Sequence, residues 1–261
     1  KEDSLSLVLG ASGSGKSTIA RQMVNSLLTG DDWLGQRSDK IDGAVGVLSY
    51  DMDASMVFDW VSGFQGVDPD KISVVNAYKR GNPLGVATMR AQIAAAWRDL
   101  GVEVVILDSF SASFFGSDQN DAGATMGHYR DLKLFALTEV GAKALVVIVH
   151  SAPNAQGRAR GSTVHHDVAD SIVTVAIDQK TRERTISMVK YRAARGQAQM
   201  NPVIITAPDQ NTHLVSVDVG AMALAGLDIS PSLAAGAFAT APPAQHAAAQ
   251  PTTFDFEDDD K

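Results

Sequence analysis

The sequence predicts an α/β fold: a mainly parallel, twisted sheet flanked by helices. Two observations lead there. Short apolar runs alternate with helix-period stretches as far as His150, and Gly10, Asp51, Asp108 and His150 fall at the ends of four of them. Such alternation produces parallel strands covered on both faces. A third observation closes the fold: two later β-runs are joined by Asp178, Gln179, Lys180 and Thr181, the mark of an antiparallel extension of the same sheet.

Residues 5–9 form an apolar run that reads as a buried strand, and residues 19–28 follow as a helix through Ile19, Met23, Val24, Leu27 and Leu28. Residues 29–43, rich in Asp and Gly, read as a loop. The second strand is 45–50, ending at Asp51, Met52 and Asp53. Residues 56–64 read as a helix packed through Phe58, Trp60, Val61 and Phe64, and 71–76 as a third strand. A helix over 84–100 stops at Gly101, a C-cap glycine. The near-continuous apolar run 102–107 ends in Asp108. A polar loop over 109–123, a helix over 125–140 closed by Gly141, and a strand over 144–149 ending in His150 follow. Residues 151–161 read as a mobile basic loop, 171–177 and 185–191 as the hairpin strands, and 203–206 and 214–217 as further strands. From about Gly220 the composition shifts to Ala, Pro, Gln and Thr, which cannot bury enough apolar area to offset ordering entropy. One domain is thus expected over residues 1–220. A linker over 221–261, disordered from about 229, carries an acidic tip after Phe254, Asp255 and Phe256.

The 261 residues carry a net charge of −8 and no cysteine. Disulfides and thiolate metal sites are excluded, and a cytoplasmic location is expected. No apolar run approaches membrane-spanning length. The chain opens on Lys1, which leaves an upstream segment open. Net acidity argues against a nucleic-acid partner, but its distribution does not. Asp228, Asp255, Glu257, Asp258, Asp259 and Asp260 crowd the tail against Lys261 alone, whereas residues 151–195 carry eight Arg/Lys against four acids. A basic face can exist on a mildly acidic body.

Gly10, Ala11, Ser12, Gly13, Ser14, Gly15, Lys16, Ser17 and Thr18 fit the phosphate-loop pattern G-x-x-x-x-G-K-[ST], with a strand before and a helix after. The glycines let successive N–H groups face one anion, and the helix start adds its positive dipole end. Lys16 would meet the β- and γ-phosphates of ATP, and the Ser17 hydroxyl would ligate Mg²⁺. Asp108 ends an apolar strand as a Walker B carboxylate does, placed to hold Mg²⁺ beside Ser17. Asp51 is the candidate base or water-orienting group; the other reading is that these acids cap the next helix, for which Asp53 is well placed. His150 is either a γ-phosphate sensor or a satisfied histidine at a strand end. His165 and His166 read as structural. Arg158 and Arg160 either meet DNA phosphates or stay solvated. Lys190 and Arg192 share one strand face and form a cationic pair suited to phosphoryl charge.

These motifs in this order resemble the RecA-like ATPases, nearest to hexameric helicases of the DnaB type and the plasmid RepA type. The resemblance covers roughly residues 5–217. Ser49, Tyr50, Asp51, Met52, Asp53 and Ala54 resemble a strand that ends in a catalytic Glu-Met, with Asp here for Glu, one methylene shorter. Val147, Ile148, Val149 and His150 resemble the sensor strand, where RepA-like members carry His. Arg160, Gly161 and Ser162 through Asp170 are similar to the family's G-S…D segment. Val189, Lys190, Tyr191 and Arg192 look like the K-x-R motif that reaches a neighbouring subunit's nucleotide. The resemblance implies an Mg²⁺-dependent, DNA-dependent ATPase assembled as a ring hexamer. Single-stranded or branched DNA would lie against the 151–161 loop. The acidic tip either recruits a replication protein, mimics DNA and competes for the basic loops, or serves as a solubilising tail. Three rivals stay open: a recombination or repair ATPase on branched DNA with metal-dependent nuclease activity, a phosphate-loop small-molecule kinase, and a slowly hydrolysing ATP-binding clamp.

Overall fold

A computed structural model describes residues 3–34, 38–63, 66–115, 118–151, 163–181, 183–192 and 203–205. Its strands are β1 (Ser4–Gly10), β2 (Ala44–Ser49), β3 (Ile72–Asn76), β4 (Val102–Asp108), β5 (Ala144–His150), β6 (Ser171–Ile177), β7 (Arg184–Tyr191) and β8 (Val203–Ile205). They form one eight-stranded sheet in the order β3-β2-β4-β5-β1-β6-β7-β8. The strands from β3 to β6 are parallel, and β7 and β8 add antiparallel neighbours. The α/β fold with an antiparallel extension is as the sequence predicts. One detail differs: β6, read as half of a hairpin, also continues the parallel set by pairing with β1.

The helices are α1 (Lys16–Thr29), α2 (Ala54–Ser62), α3 (Ala87–Asp99), α4 (Phe110–Ser113), α5 (Ala122–Lys133) and α6 (Val164–Val168). Strand residues alternate strictly between two cores. Leu5, Leu7 and Leu9 of β1 join Val105 and Leu107 of β4 with Trp97, Tyr129 and Phe135 on one face. Val8, Val104 and Ile106 join Ile19, Val24, Leu28 and Val57 on the other. So α1 and α2 cover one face, and α3 to α6 the opposite one. Right-handed crossovers require this, because connections run toward β3 after β1 and β2 and back after β3 and β4.

Local details follow from side-chain chemistry. Gly46 sits mid-strand because a Cβ there would come within 2.9 Å of the Trp97 ring, whose indole N–H donates to Ser73 Oγ at 2.9 Å. Asp121 caps α5 by accepting from the Ala124 N–H, so this helix starts before the expected residue 125. It passes into a π-helical turn at Leu134–Glu139. The expected helix over 84–100 is split: Pro83–Gly85 forms a 3₁₀ turn, and α3 follows. The expected loop over 109–123 begins with α4, held by Phe110, which is buried against Tyr129, His165 and His128. Among the described residues no helix is long and apolar enough to cross a membrane. The expected strand at 214–217, the tail, Phe64, and the loop bearing Arg158 and Arg160 lie outside the described residues.

Packing against Phe110 and Phe114 buries the His128 ring, whose Nε2 lies 3.0 Å from Ser113 Oγ. Burial disfavours the imidazolium and lowers its pKa from 6.5 to about 4. The unfolded chain therefore takes up this proton at higher pH than the folded one. Its contribution is complete above pH 6.5 and is lost as pH falls toward 4, a change of about 3 kcal/mol. Urea midpoints measured across this window are expected to fall with pH in the wild type and to fall less in His128→Gln.

Candidate active site

β1 ends at Gly10, and α1 begins at Lys16. Between them the chain turns through Gly13 at φ 73° and Gly15 at φ 96°, left-handed values that glycine tolerates best. A Cβ on Gly10 would lie 2.5 Å from Ser14 Oγ and 2.6 Å from the Val175 carbonyl oxygen, so the loop can fold this closely only over glycine. Gly15 caps α1 without a side-chain bond, and no acid occupies the first turn. The first N–H groups of this 14-residue helix are thus left for an external anion. Lys16 is buried, with Nζ donating to the Ala11 carbonyl at 2.8 Å. Burial lowers its pKa; the Asp108 and Asp51 carboxylates oppose that.

The parallel register brings the acidic groups level with this loop. Gly10 pairs with His150, Asp108 with Ile148, and Ser49 with Asp108. Ser17 Oγ donates to Asp108 Oδ2 at 2.7 Å. Asp108 is buried at the end of β4, and desolvation raises its pKa; the Ser17 hydrogen bond opposes this and Asp51 adds to it. Asp51 lies two residues beyond β2. Its Oδ2 accepts from Ser109 Oγ at 2.6 Å and lies 3.5 Å from His150 Nε2. His150 first, then Ser109, holds this carboxyl below its ordinary range against the cost of burial. The two carboxylates are thereby pushed apart in pKa, the pattern that assigns different roles to neighbouring acids.

The donor set fits a hard cation. The Ser17 hydroxyl and Asp108 carboxylate are the oxygen ligands that Mg²⁺ takes, with phosphate and water supplying the rest. The glycine cradle and uncapped helix start fit the phosphates. Asp51 and Asp53 have separate positions, as the sequence reading has them. Asp53 caps α2, accepting from the Met56 N–H at 2.9 Å and Ser55 Oγ at 2.8 Å, whereas Asp51 faces the loop.

Lys190 and Arg192 are not brought to this edge. β7 runs antiparallel to β6, with Arg184 opposite Ile177 and Lys190 opposite Ile172. Six residues at ~3.3 Å each put Lys190 roughly 20 Å along the strand from Arg184. Lys190 Nζ donates to the His166 carbonyl; Arg192 donates to the Asp167 carbonyl at 3.0 Å and lies 3.6 Å from Asp170 Oδ1. Asp170 also accepts from the Leu5 N–H at 3.0 Å. His165 is buried, its Nδ1 2.6 Å from the Tyr129 hydroxyl, and the His166 N–H donates to the Thr163 carbonyl at 3.0 Å. Sequence reading missed Ser109 and Arg184. Ser109 adjoins Asp108 but matches no motif. Arg184 reaches the loop only through sheet topology, its Nε donating to the Ser14 carbonyl at 2.9 Å.

A protein-family model described as an AAA domain matches residues 1–156, which span β1 through β5 and include Lys16, Ser17, Asp51, Asp108 and His150. No match was found among curated proteins.

Both hydrogen-bond partners of Asp51 favour its charged form. Carbon-13 NMR titration should find the Asp51 carboxyl below 3.8 in the wild type. Ser109→Ala and His150→Ala should each move it upward, His150→Ala by more.

Proposed function

Since the chain belongs to the AAA domain family of P-loop ATPases, we propose that it is an Mg²⁺-dependent, DNA-stimulated ATPase of RecA-like type, working as a ring, a hexamer, in helicase or translocase action during replication or recombination. The observation that carries this reading is the convergence at one sheet edge of Lys16, the Ser17–Asp108 pair and the Asp51–His150 pair. Each group has a distinct part. Loop N–H groups and Lys16 bind the β- and γ-phosphates of ATP. Ser17 and Asp108 hold Mg²⁺, which supplies charge neutralisation on those phosphates. Asp51, kept ionised by His150 and Ser109, orients water and accepts its proton. Asp is one methylene shorter than Glu, and the His150 contact fixes where the shorter carboxylate points.

His150 pairs with Gly10, and the next residue, Ser151, donates its N–H to the Gly10 carbonyl at 2.9 Å. Loss of the γ-phosphate would therefore be felt where the basic 151–161 loop begins. In this reading Arg158 and Arg160 on that loop contact single-stranded or branched DNA. Lys190 and Arg192 lie too far along β7 to serve their own protomer's loop; in this reading they act at a neighbouring protomer's site. The acidic tip is assigned to a replication-protein partner.

ATP hydrolysis should rise on adding single-stranded or forked DNA. Lys16→Ala and Asp51→Asn should each lower kcat by about a hundredfold or more. Mixing Lys16→Ala with Arg192→Ala protein should restore activity above either variant alone, since intact sites form at mixed junctions. Hydrolysis by a monomer, insensitive to DNA and unaffected by Arg192→Ala, would overturn the reading.

A further inference from the structure

Arg184 opens β7 at the same sheet edge as the phosphate loop, 170 residues away in sequence from its partner there. Its Nε donates to the Ser14 carbonyl at 2.9 Å. Its side chain lies against Gly15: a Cβ added at Gly15 would come 2.8 Å from Nε, 3.3 Å from Cδ and 3.7 Å from Cζ. Gly15 is therefore glycine for two reasons, its φ of 96° and this guanidinium. On the other side of the loop Ser14 is buried, its Oγ without a hydrogen-bond partner and pressed toward Gly10. The Ser14 N–H donates to the Ala11 carbonyl at 3.2 Å, and the Ser14 carbonyl is held by an arginine from another element rather than by the residue's own side chain.

We infer that Arg184 is a positioning residue for triphosphate binding, acting in its own protomer by aiming the Ser14–Gly15 peptide. In a trans peptide the C=O and the following N–H point to opposite sides of the chain. With the Ser14 carbonyl held outward on Arg184, the Gly15 N–H is turned inward, toward the space bounded by Lys16 and the start of α1. A loop N–H already aimed at its anion spends no ordering entropy on binding. Without the guanidinium the Ser14 carbonyl loses this partner, and Gly15 on its C-terminal side, already at φ 96°, opposes reorientation of the peptide less than any other residue would. Arg184 differs from Lys190 and Arg192 in that it requires no neighbour.

The inference rests on the reading of the loop as a triphosphate site, and the test separates the two. Binding of a fluorescent ATP analogue with Mg²⁺ would be measured for wild type, Lys16→Ala, Arg184→Met and Arg184→Lys, alongside steady-state kinetics and thermal melting. Arg184→Met keeps an apolar stem over Gly15 and loses the donor; Arg184→Lys keeps a donor. Arg184→Met is expected to raise Kd and KM about tenfold, the scale of one hydrogen bond to a charged group, with kcat within about threefold of wild type. Arg184→Lys should recover part of that loss, a rescue that general destabilisation would not give. Wild-type affinity in Arg184→Met, or equal losses in both variants tracking their melting temperatures, would overturn the inference while leaving the site assignment standing. Absence of analogue binding by the wild type would overturn both.

Discussion

The level register of the parallel strands is the constraint on which the site depends. Gly10, His150 and Asp108 belong to three neighbouring strands, β1, β5 and β4: Gly10 pairs with His150, and Asp108 pairs with Ile148, so β4 ends two residues short of its neighbours at the same edge. The 2.7 Å contact between Ser17 and Asp108 can form only in that alignment. A one-residue slip of any strand would turn its side chains to the opposite face and exchange the two cores. Core and site are therefore specified together. Leu7 and Leu9 bury on one face and Val8 on the other, and this strict alternation is what lets β1 deliver Gly10 to the edge beside His150.

Topology decides where the crevice opens. β1 leads into α1 on one face, and the chain beyond β5 reaches α6 on the other. Adjacent strands whose connections part in this way leave a gap at their carboxyl ends, the usual place for a ligand in such sheets. Within that gap the electrostatics are uneven. Lys16 and Asp108 are both buried, each displaced toward its neutral form by desolvation, while Asp51 is held charged by His150 and Ser109. Buried charge of this kind works against folding and in favour of binding, because an anion and a cation placed there satisfy both groups at once.

Much of this was legible in the sequence, and the exceptions have physical reasons. Alternating apolar runs gave the parallel sheet, and the glycine-lysine pattern located the loop, because both are local signals. α4 was read as loop because four residues carry no measurable period; Phe110 is helical through burial against Tyr129 and His165, a tertiary effect. The pairing of β6 with β1 was hidden because parallel neighbours are set by crossovers and not by adjacent residues. The sequence placed Asp53 at a helix start, where capping is a local signal; that the turn after β2 aims Asp51 at His150 is set by the sheet. Arg184 could not be found at all, since nothing in a β-hairpin sequence tells which loop its first residue will meet.

The account turns on the Ser17–Asp108 pair as the place where a triphosphate and its metal are held. A crystal structure of the protein grown with Mg²⁺ and a nonhydrolysable ATP analogue tests this most directly. The account predicts phosphate density against residues 10–18, with the cation beside Ser17 and Asp108 and the Lys16 ammonium turned from the Ala11 carbonyl to the phosphates. An analogue bound elsewhere, with Lys16 still on Ala11 and Ser17 still donating to Asp108, would contradict it.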